Sequence, residues 1–217
     1  MKSAYPKAAD VQFLYRTTGL IDPTIDPFTS IDWDGAIASA VAEFEGKIGR
    51  TFNSSVQTRI YDPPQNTKSL LPLGYDLAAV TAITFTNRTL VNGVDYYLGP
   101  VNADVDGKPW QWIEFVALFA DPIYQRRSIS ITGTWGYLPL AGGFIQIPDD
   151  AWHAILKTAA KSIAPEIELN INRGRLVAKT EDFQYSFAPN GPLKATMESW
   201  SSQINQAATR YRRVQVF

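Results

Sequence analysis

Few residues in this chain have the types and spacing that catalysis requires. His153 is the only histidine, and it follows the acid pair Asp149-Asp150. A Ser-His-Asp triad would depend on this single imidazole, and no serine stands in the Gly-x-Ser-x-Gly context of a hydrolase nucleophile. A metal site on His153 would need carboxylates from elsewhere, because Asp149 and Asp150 suit the positive end of a helix dipole. We therefore predict no catalytic residue and no metal site, and we interpret His153 as a surface or interface residue.

Cofactor motifs and cysteines are absent from the sequence as well. There is no Gly-x-x-x-x-Gly-Lys-Ser/Thr phosphate loop and no Gly-x-Gly-x-x-Gly dinucleotide motif. Without cysteine, disulfides, cysteine-zinc sites and thiol nucleophiles are all excluded, which fits a reducing compartment. We predict that the chain is not an enzyme and that it carries no cofactor.

Aromatic residues leave one alternative from a different functional class. They make up 12% of the chain, and Tyr96, Tyr97, Trp110 and Trp112 could line a sugar-binding surface. Any two acids can also meet in space as the carboxylate pair of a glycosidase. Such aromatic side chains more often fill a β-sheet core. The alternative is a carbohydrate-binding or hydrolytic accessory protein, a soluble monomer that depends on Trp110 or Trp112.

Composition excludes several other classes of protein. The 217 residues are 45% hydrophobic and 19% charged, with a net charge of −1, which is typical of a globular chain. The low net charge argues against strong attraction of the whole molecule to nucleic acid. No apolar run approaches the ~18 residues of a membrane span, and the first ten residues lack the apolar core of a signal peptide. We expect no membrane association.

Hydrophobic spacings predict helices at both ends of the chain and strands between them. The predicted helices are Ala8–Arg16, Ser30–Arg50, one beginning at Asp149 with a stop or kink at Pro165, and Leu193–Arg210. The predicted strands are Val56–Tyr61, Val80–Asn87, Asp95–Leu98, Trp112–Phe115 and Ser128–Thr134. This order predicts an α+β fold in a single domain, 1–217. A helical frame (1–54 and 147–217) would carry an inserted antiparallel β block (55–146).

The most specific stretch of the sequence is Ser128–Ile163. It begins with strand alternation and ends that strand as Thr132-Gly133-Thr134-Trp135-Gly136-Tyr137. After Ile147-Pro148-Asp149-Asp150, apolar residues recur every four positions, as on one face of a helix. Proline and acids are typical of a helix start. The stretch therefore predicts a strand, a glycine-rich loop and a buried helix in succession.

This stretch resembles the head–tail connector (adaptor) proteins of tailed bacteriophages. Their usual pattern is a strand that ends in a T-x-x-x-G-Y-like loop, followed by a V/I-P-x-D/E step into a helix. Further matches are Gly174-Arg175-Leu176, the aromatic arm in Thr180–Phe187, and the last helix ending Arg210-Tyr211-Arg212-Arg213. The long β middle and the residues past Tyr211 depart from the smallest family members.

The resemblance implies a structural protein that works as a ring of identical copies. Such rings are generally dodecamers that lie under the portal, join it to the next neck or tail protein, and leave a channel for DNA without sequence-specific binding. The expected location is the virion neck, after assembly in the host cytoplasm. A head-closure or tail-completion protein is the alternative within this class.

Two segments are candidate contact sites under this interpretation. The first is a portal-docking segment at the end of the chain, where basic residues precede apolar ones: Arg210, Tyr211, Arg212, Arg213, Val214, Gln215, Val216 and Phe217. Its last four residues alternate and could add as a strand to a partner's sheet. The second is an inter-subunit arm in which Phe183, Tyr185 and Phe187 lie on one side.

Overall fold

The computed structural model describes residues 1–18, 26–28, 30–64, 70–86, 88–116, 126–138, 146–176 and 192–213. The helices in this part of the chain are α1 (Ala8–Thr17), α2 (Trp33–Ile48), α3 (Asp149–Leu176) and α4 (Pro192–Tyr211). The strands are β1 (Ser55–Tyr61), β2 (Leu70–Phe85), β3 (Arg88–Thr89), β4 (Tyr96–Gly99), β5 (Trp110–Phe115) and β6 (Ile129–Trp135). The predicted α+β class is confirmed.

Helix α2 shows how local sequence sets the helix ends. The side chain of Asp32 accepts a hydrogen bond from the Gly35 N–H at 3.0 Å, which satisfies one of the unpaired donors of the first turn. Gly49 ends the helix with a φ of 66°, a left-handed conformation that glycine adopts without a steric penalty. The predicted stripe is buried at Ile37, Phe44 and Ile48. This face points into the helical core.

Helix α3 is longer than the sequence patterns indicated. Pro165 was predicted to stop or kink the helix, and it does not stop it, because the helix continues to Leu176. Proline removes one backbone hydrogen bond, but the buried residues Ile163 and Ile167 on either side of it keep the segment packed against the core.

The four helices share one hydrophobic core. Its largest side chains include Tyr15 from α1, Phe44 from α2 and Trp200 from α4, with Tyr15 and Trp200 in edge contact at 6.0 Å between ring centroids. Alanines of α3, among them Ala159 and Ala160, are fully buried. Small side chains let neighbouring helices approach closely, so α3 can contact the other three.

The strands form one antiparallel sheet in the order β1-β6-β2-β5-β4, with the short β3 paired to β2. Strand β6 alternates buried and half-buried residues along its whole length, as predicted for a sheet with one covered face. A second core cluster lies on the covered face and includes Leu77, Ile113 and Ile131. The strands lie within the predicted insertion, and the single-domain boundaries stay a prediction.

Strand β2 corrects the sequence-based boundaries. The pattern predicted a strand from Val80 and a connection around Pro72 and Gly74, but one strand begins at Leu70 and pairs with both β5 and β6. A register shift between Pro72 and Leu77 and a φ of 67° at Gly74 accommodate the two residues. Proline and glycine here mark a bulge within a strand.

Within the described ranges, no helix combines the length and the apolar character needed to cross a membrane.

Candidate docking site at the end of the last helix

The last turn of α4 is fastened to the first turn of α3. The phenol of Tyr211 donates a hydrogen bond to Asp150, and the guanidinium of Arg210 donates to the other carboxylate oxygen at 2.6 Å. Burial alone would raise the pKa of Asp150, but the hydrogen bonds from Tyr211 and Arg210 outweigh it, so the pKa lies below its ordinary value. The carboxylate is therefore held ionised between the two helix ends.

Tyr211 also packs into a group of aromatic rings. Its ring meets Tyr137 at 5.5 Å and Phe52 at 6.0 Å between centroids, both edge-on. Phe52 and Tyr137 contact each other at 5.4 Å. Edge-to-face pairs of this kind stabilise a fold beyond their buried area. We call Phe52, Tyr137, Tyr211 and Asp150 the tyrosine cluster.

Burial raises the pKa of Tyr211, and the hydrogen bond to the ionised Asp150 raises it further. Only 8% of the Tyr211 residue is exposed. The phenol is thus a neutral donor inside the fold.

A buried ion pair lies next to the tyrosine cluster. The guanidinium of Arg50 donates to Asp76 at 2.8 Å, with side-chain exposures of 8% and 3%. The same guanidinium lies over the ring of Tyr137, 5.2 Å from its centroid. Burial raises the pKa of Asp76, and the nearby charges of Arg50 and Arg213 offset this only in part. The pair joins the end of α2 to strand β2.

Arg213 continues the same connection beyond the end of α4. Its backbone N–H donates to the Ile48 carbonyl at 2.9 Å, and its side chain donates to the Gly74 carbonyl. A cleft of about 240 Å³ between α2 and β2 is lined by Arg50, Asp76 and Arg213, among others. The chain therefore leaves α4 across the junction of the helical core and the sheet.

The structure places the predicted docking residues in two groups. Arg210, Tyr211 and Arg213 make internal contacts, and Arg212 is exposed. Val214, Gln215, Val216 and Phe217 lie outside the described residues, as do Phe183, Tyr185 and Phe187 of the predicted arm. Docking by either segment stays a prediction.

His153 lies on the exposed surface of α3, with its ring against Trp152 at 5.1 Å. Partial burial lowers its pKa, and the positive charges of Lys157 and Lys2 lower it further. In the part of the chain that the structure describes, no group of three or more histidines and acids is arranged to hold a metal ion.

The aromatic residues of the carbohydrate alternative do not form an open platform. Tyr96 is buried, and Trp110 packs against the sheet core. The indole of Trp112 lies so close to Gly99 that a Cβ there would fall 2.0 Å from Nε1. Only Tyr97 is exposed among the four.

Sequence reasoning missed the Arg50–Asp76 pair. The available signal was an acid, Asp76, within the apolar run of β2, because a buried carboxylate needs a partner. Nothing in the sequence pattern selected Arg50 as that partner, since the two residues meet only when α2 and β2 pack together.

No family model matches the chain, and no curated protein matches it. Several solved structures are similar to it. The neck of a native GTA particle computed with C12 symmetry contains a chain with 14% identity and a TM-score of 0.46, covering 100% of this chain and 96% of that one. The neck of an empty GTA particle computed with C6 symmetry gives 15% identity and a TM-score of 0.47, with coverage of 95% and 90%.

A third similar chain belongs to the virion of a native gene transfer agent (GTA) particle, at 16% identity, a TM-score of 0.48 and coverage of 99% and 94%. All three are thus neck or virion structures. Because these three TM-scores are below 0.5, the likeness carries no functional assignment.

Proposed function

We propose that this protein is a ring-forming head–tail connector of a tailed phage. It would join the portal to the next neck or tail protein and leave a channel for DNA. One observation carries the proposal: Tyr137, Asp150 and Tyr211 come from three separate connector-like motifs and pack into one cluster. Motifs dispersed in the sequence thus serve one structural purpose.

The chemistry of the cluster favours a passive role. Asp150 accepts hydrogen bonds from Tyr211 and Arg210, so both of its oxygens are occupied within the fold. Arg50 and Asp76 neutralise each other beside it. These groups are used in packing rather than presented to a substrate. This arrangement supports a protein that works by adhesion and has no catalytic site.

The end of the chain is suited to docking on the portal. Tyr211 holds the end of α4 to α3, and Arg213 holds the following residues to α2 and β2. The described part of the chain therefore has a fixed position up to Arg213. The alternating Val-Gln-Val-Phe sequence can pair as a strand with a partner sheet. In this proposal Arg210, Tyr211 and Arg213 position the docking segment.

Ring formation requires two different faces on each copy. The exposed apolar side chains of the sheet region include Val56 and Ile60 on β1, and Val101 and Val105 in the loop before β5, with exposures of 61–82%. We propose that such residues, together with Phe183, Tyr185 and Phe187 of the arm, contact neighbouring copies. A dodecamer in the virion neck, assembled in the host cytoplasm, follows from the family resemblance.

A truncation after Arg213 tests the docking role. It removes Val214–Phe217 and keeps Tyr211 and Arg213 in place, so the fold should keep its stability. We expect the truncated protein to lose binding to the portal in a pull-down. The matched control is Lys108→Gln, a change at an exposed residue of the β4–β5 loop, which should bind the portal normally. Normal binding by the truncated protein would refute the docking role.

Electron microscopy of the negatively stained protein with its portal tests the ring. Rings stacked on the portal support the connector. A protein that stays monomeric beside the portal and binds glycan through Trp110 or Trp112 would establish the carbohydrate alternative instead.

A further inference from the structure

A basic groove lies between α3 and α4. Its volume is about 430 Å³, and its walls carry Lys157, Arg210 and His153, together with two glutamines of α4. Among the described residues that line it, Ala154 and Ala207 are the apolar ones. The two helices pack antiparallel, and the groove lies along their interface. It extends from the Asp150–Arg210 contact to the Lys157–Gln203 contact.

The lysines around α4 have neutral partners. Lys157 donates to the side-chain oxygen of Gln203, and Lys161 donates to the Ser201 hydroxyl at 2.6 Å. On the other side of α4, Lys47 donates to the Asn205 side chain, also at 2.6 Å. Among the described residues, no carboxylate lies within 4.0 Å of these three ammonium groups. Each ammonium group thus donates to a neutral side chain, and no described carboxylate forms an ion pair with it.

The charges that line the groove also favour a positive potential. Among the described lining residues the one acid is Asp150, which is paired with Arg210 at 2.6 Å. Besides burial, the charges of Lys157 and Lys2 lower the pKa of His153, so the imidazole experiences a positive potential. The groove is thus locally cationic in a chain whose net charge is −1. Such a local field attracts a polyanion even when the whole molecule does not.

The composition of the groove favours nucleic acid over an acidic protein segment. Protein interfaces are built around buried aromatic and large apolar anchors, and this groove has only two alanines. Interfaces with DNA are more polar and more positively charged. Lys157 and Lys161 lie one helical turn apart on α3, about 6 Å, and form a short row that a phosphodiester backbone can follow.

We propose that the α3–α4 groove contacts the phosphate backbone of double-stranded DNA, through Lys157 in its wall and Lys161 one helical turn beyond it. This proposal rests on the proposed function, in which DNA passes through the ring. The contact is independent of base sequence because it involves phosphates alone. It is also weak for each copy, since few phosphates are neutralised, and weak contacts let DNA move along the surface.

The test measures binding of the full-length protein to a fluorescein-labelled 30-base-pair duplex by anisotropy at increasing salt. We expect weak binding at low salt that does not depend on the duplex sequence. The double variant Lys157→Gln/Lys161→Gln should bind about tenfold more weakly or worse at low salt, and its slope of log affinity against log salt should be reduced by ~2. Lys7→Gln/Lys108→Gln removes two lysines that lie outside the groove and should match the wild type.

Three results would overturn the proposal: no salt-dependent binding by the wild type, equal binding by the groove variant and the wild type, or equally tight binding of a polyglutamate peptide of matched charge. The last would assign the groove to an acidic protein segment. Portal pull-down gives an independent readout. If the protein does not bind the portal but still binds DNA through the groove, the connector function alone is rejected. If it binds the portal but does not bind DNA through the groove, the DNA contact alone is rejected.

Discussion

Tyr211 donates a hydrogen bond to Asp150 across 61 positions of sequence, and this contact holds the end of α4 against the start of α3. The same tyrosine ring lies between Phe52 and Tyr137. One side chain therefore connects the α2 end, the loop after β6 and both long helices. Its loss should affect the fold before it affects any contact with another protein.

Replacing Tyr211 separates the hydrogen bond from the packing. Tyr211→Phe keeps the ring and removes a bond to a charged acceptor, which should lower the free energy of unfolding by ~1.5–3 kcal/mol. Tyr211→Ala also leaves a cavity and should cost ~3–5 kcal/mol. Urea denaturation measures both. Tyr75→Phe changes an exposed tyrosine and should stay within ~0.5 kcal/mol of wild type. If it lowered the stability as much as Tyr211→Phe, the loss could not be attributed to the Tyr211–Asp150 hydrogen bond.

Stability should depend on Asp150 at acid pH. Because its pKa is lower in the folded chain than its ordinary 3.8, the unfolded chain binds more protons between the two values, and stability rises with pH in that window. The contribution is complete above 3.8 and is lost as pH falls through the folded pKa. Denaturation of wild type and Asp150→Asn at a series of acid pH values should show their difference shrinking as pH falls. A constant difference would count against the ionised Asp150.

The Arg50–Asp76 pair should show strong coupling. Asp76→Leu leaves a buried guanidinium without its partner, and Arg50→Met leaves a buried carboxylate, so each should cost ~3–5 kcal/mol. The double variant replaces both charges with apolar groups and should recover most of that loss. A double-mutant cycle by chemical denaturation measures the coupling. Additive losses would show that the two residues act independently.

Two glycines should respond in opposite directions to alanine. At Gly136 the φ is 141°, and a Cβ would fall 2.2 Å from the Ser54 hydroxyl oxygen, so Gly136→Ala should cost at least ~1–3 kcal/mol. At Gly46, inside α2, a Cβ would meet no atom within 4 Å. Gly46→Ala should therefore stabilise by ~0.5–1 kcal/mol. Thermal unfolding compares the two, and equal shifts would contradict this account.

The helices were the most predictable elements, because their signals are local. The Asp32 cap, the Gly49 stop and the four-residue spacing after Asp149 all lie within a few positions of what they determine. Strand β2 was less predictable, since Pro72 and Gly74 normally indicate a connection. Pairing with β5 up to Pro72, and with both β5 and β6 from Leu77, keeps this segment within one strand despite them.

The candidate site was only partly predictable, because its residues meet through contacts between distant segments. The Tyr137, Asp150 and Tyr211 motifs could each be recognised in the sequence, but their convergence could not. The predicted docking residues proved to differ in kind, because Tyr211 is buried and Arg212 is exposed. A run of neighbouring residues in the sequence does not show which members a fold will bury.

By itself, the sequence determined the α+β order of helices and strands and the likeness of its motifs to connector proteins. The tertiary structure decided that Arg50 neutralises Asp76, that Tyr211 is an internal donor, and that the lysines around α4 donate to neutral side chains. The physical reason is the range of the interactions. Caps and hydrophobic periods act over a few residues, whereas burial and charge pairing depend on which distant segments pack together.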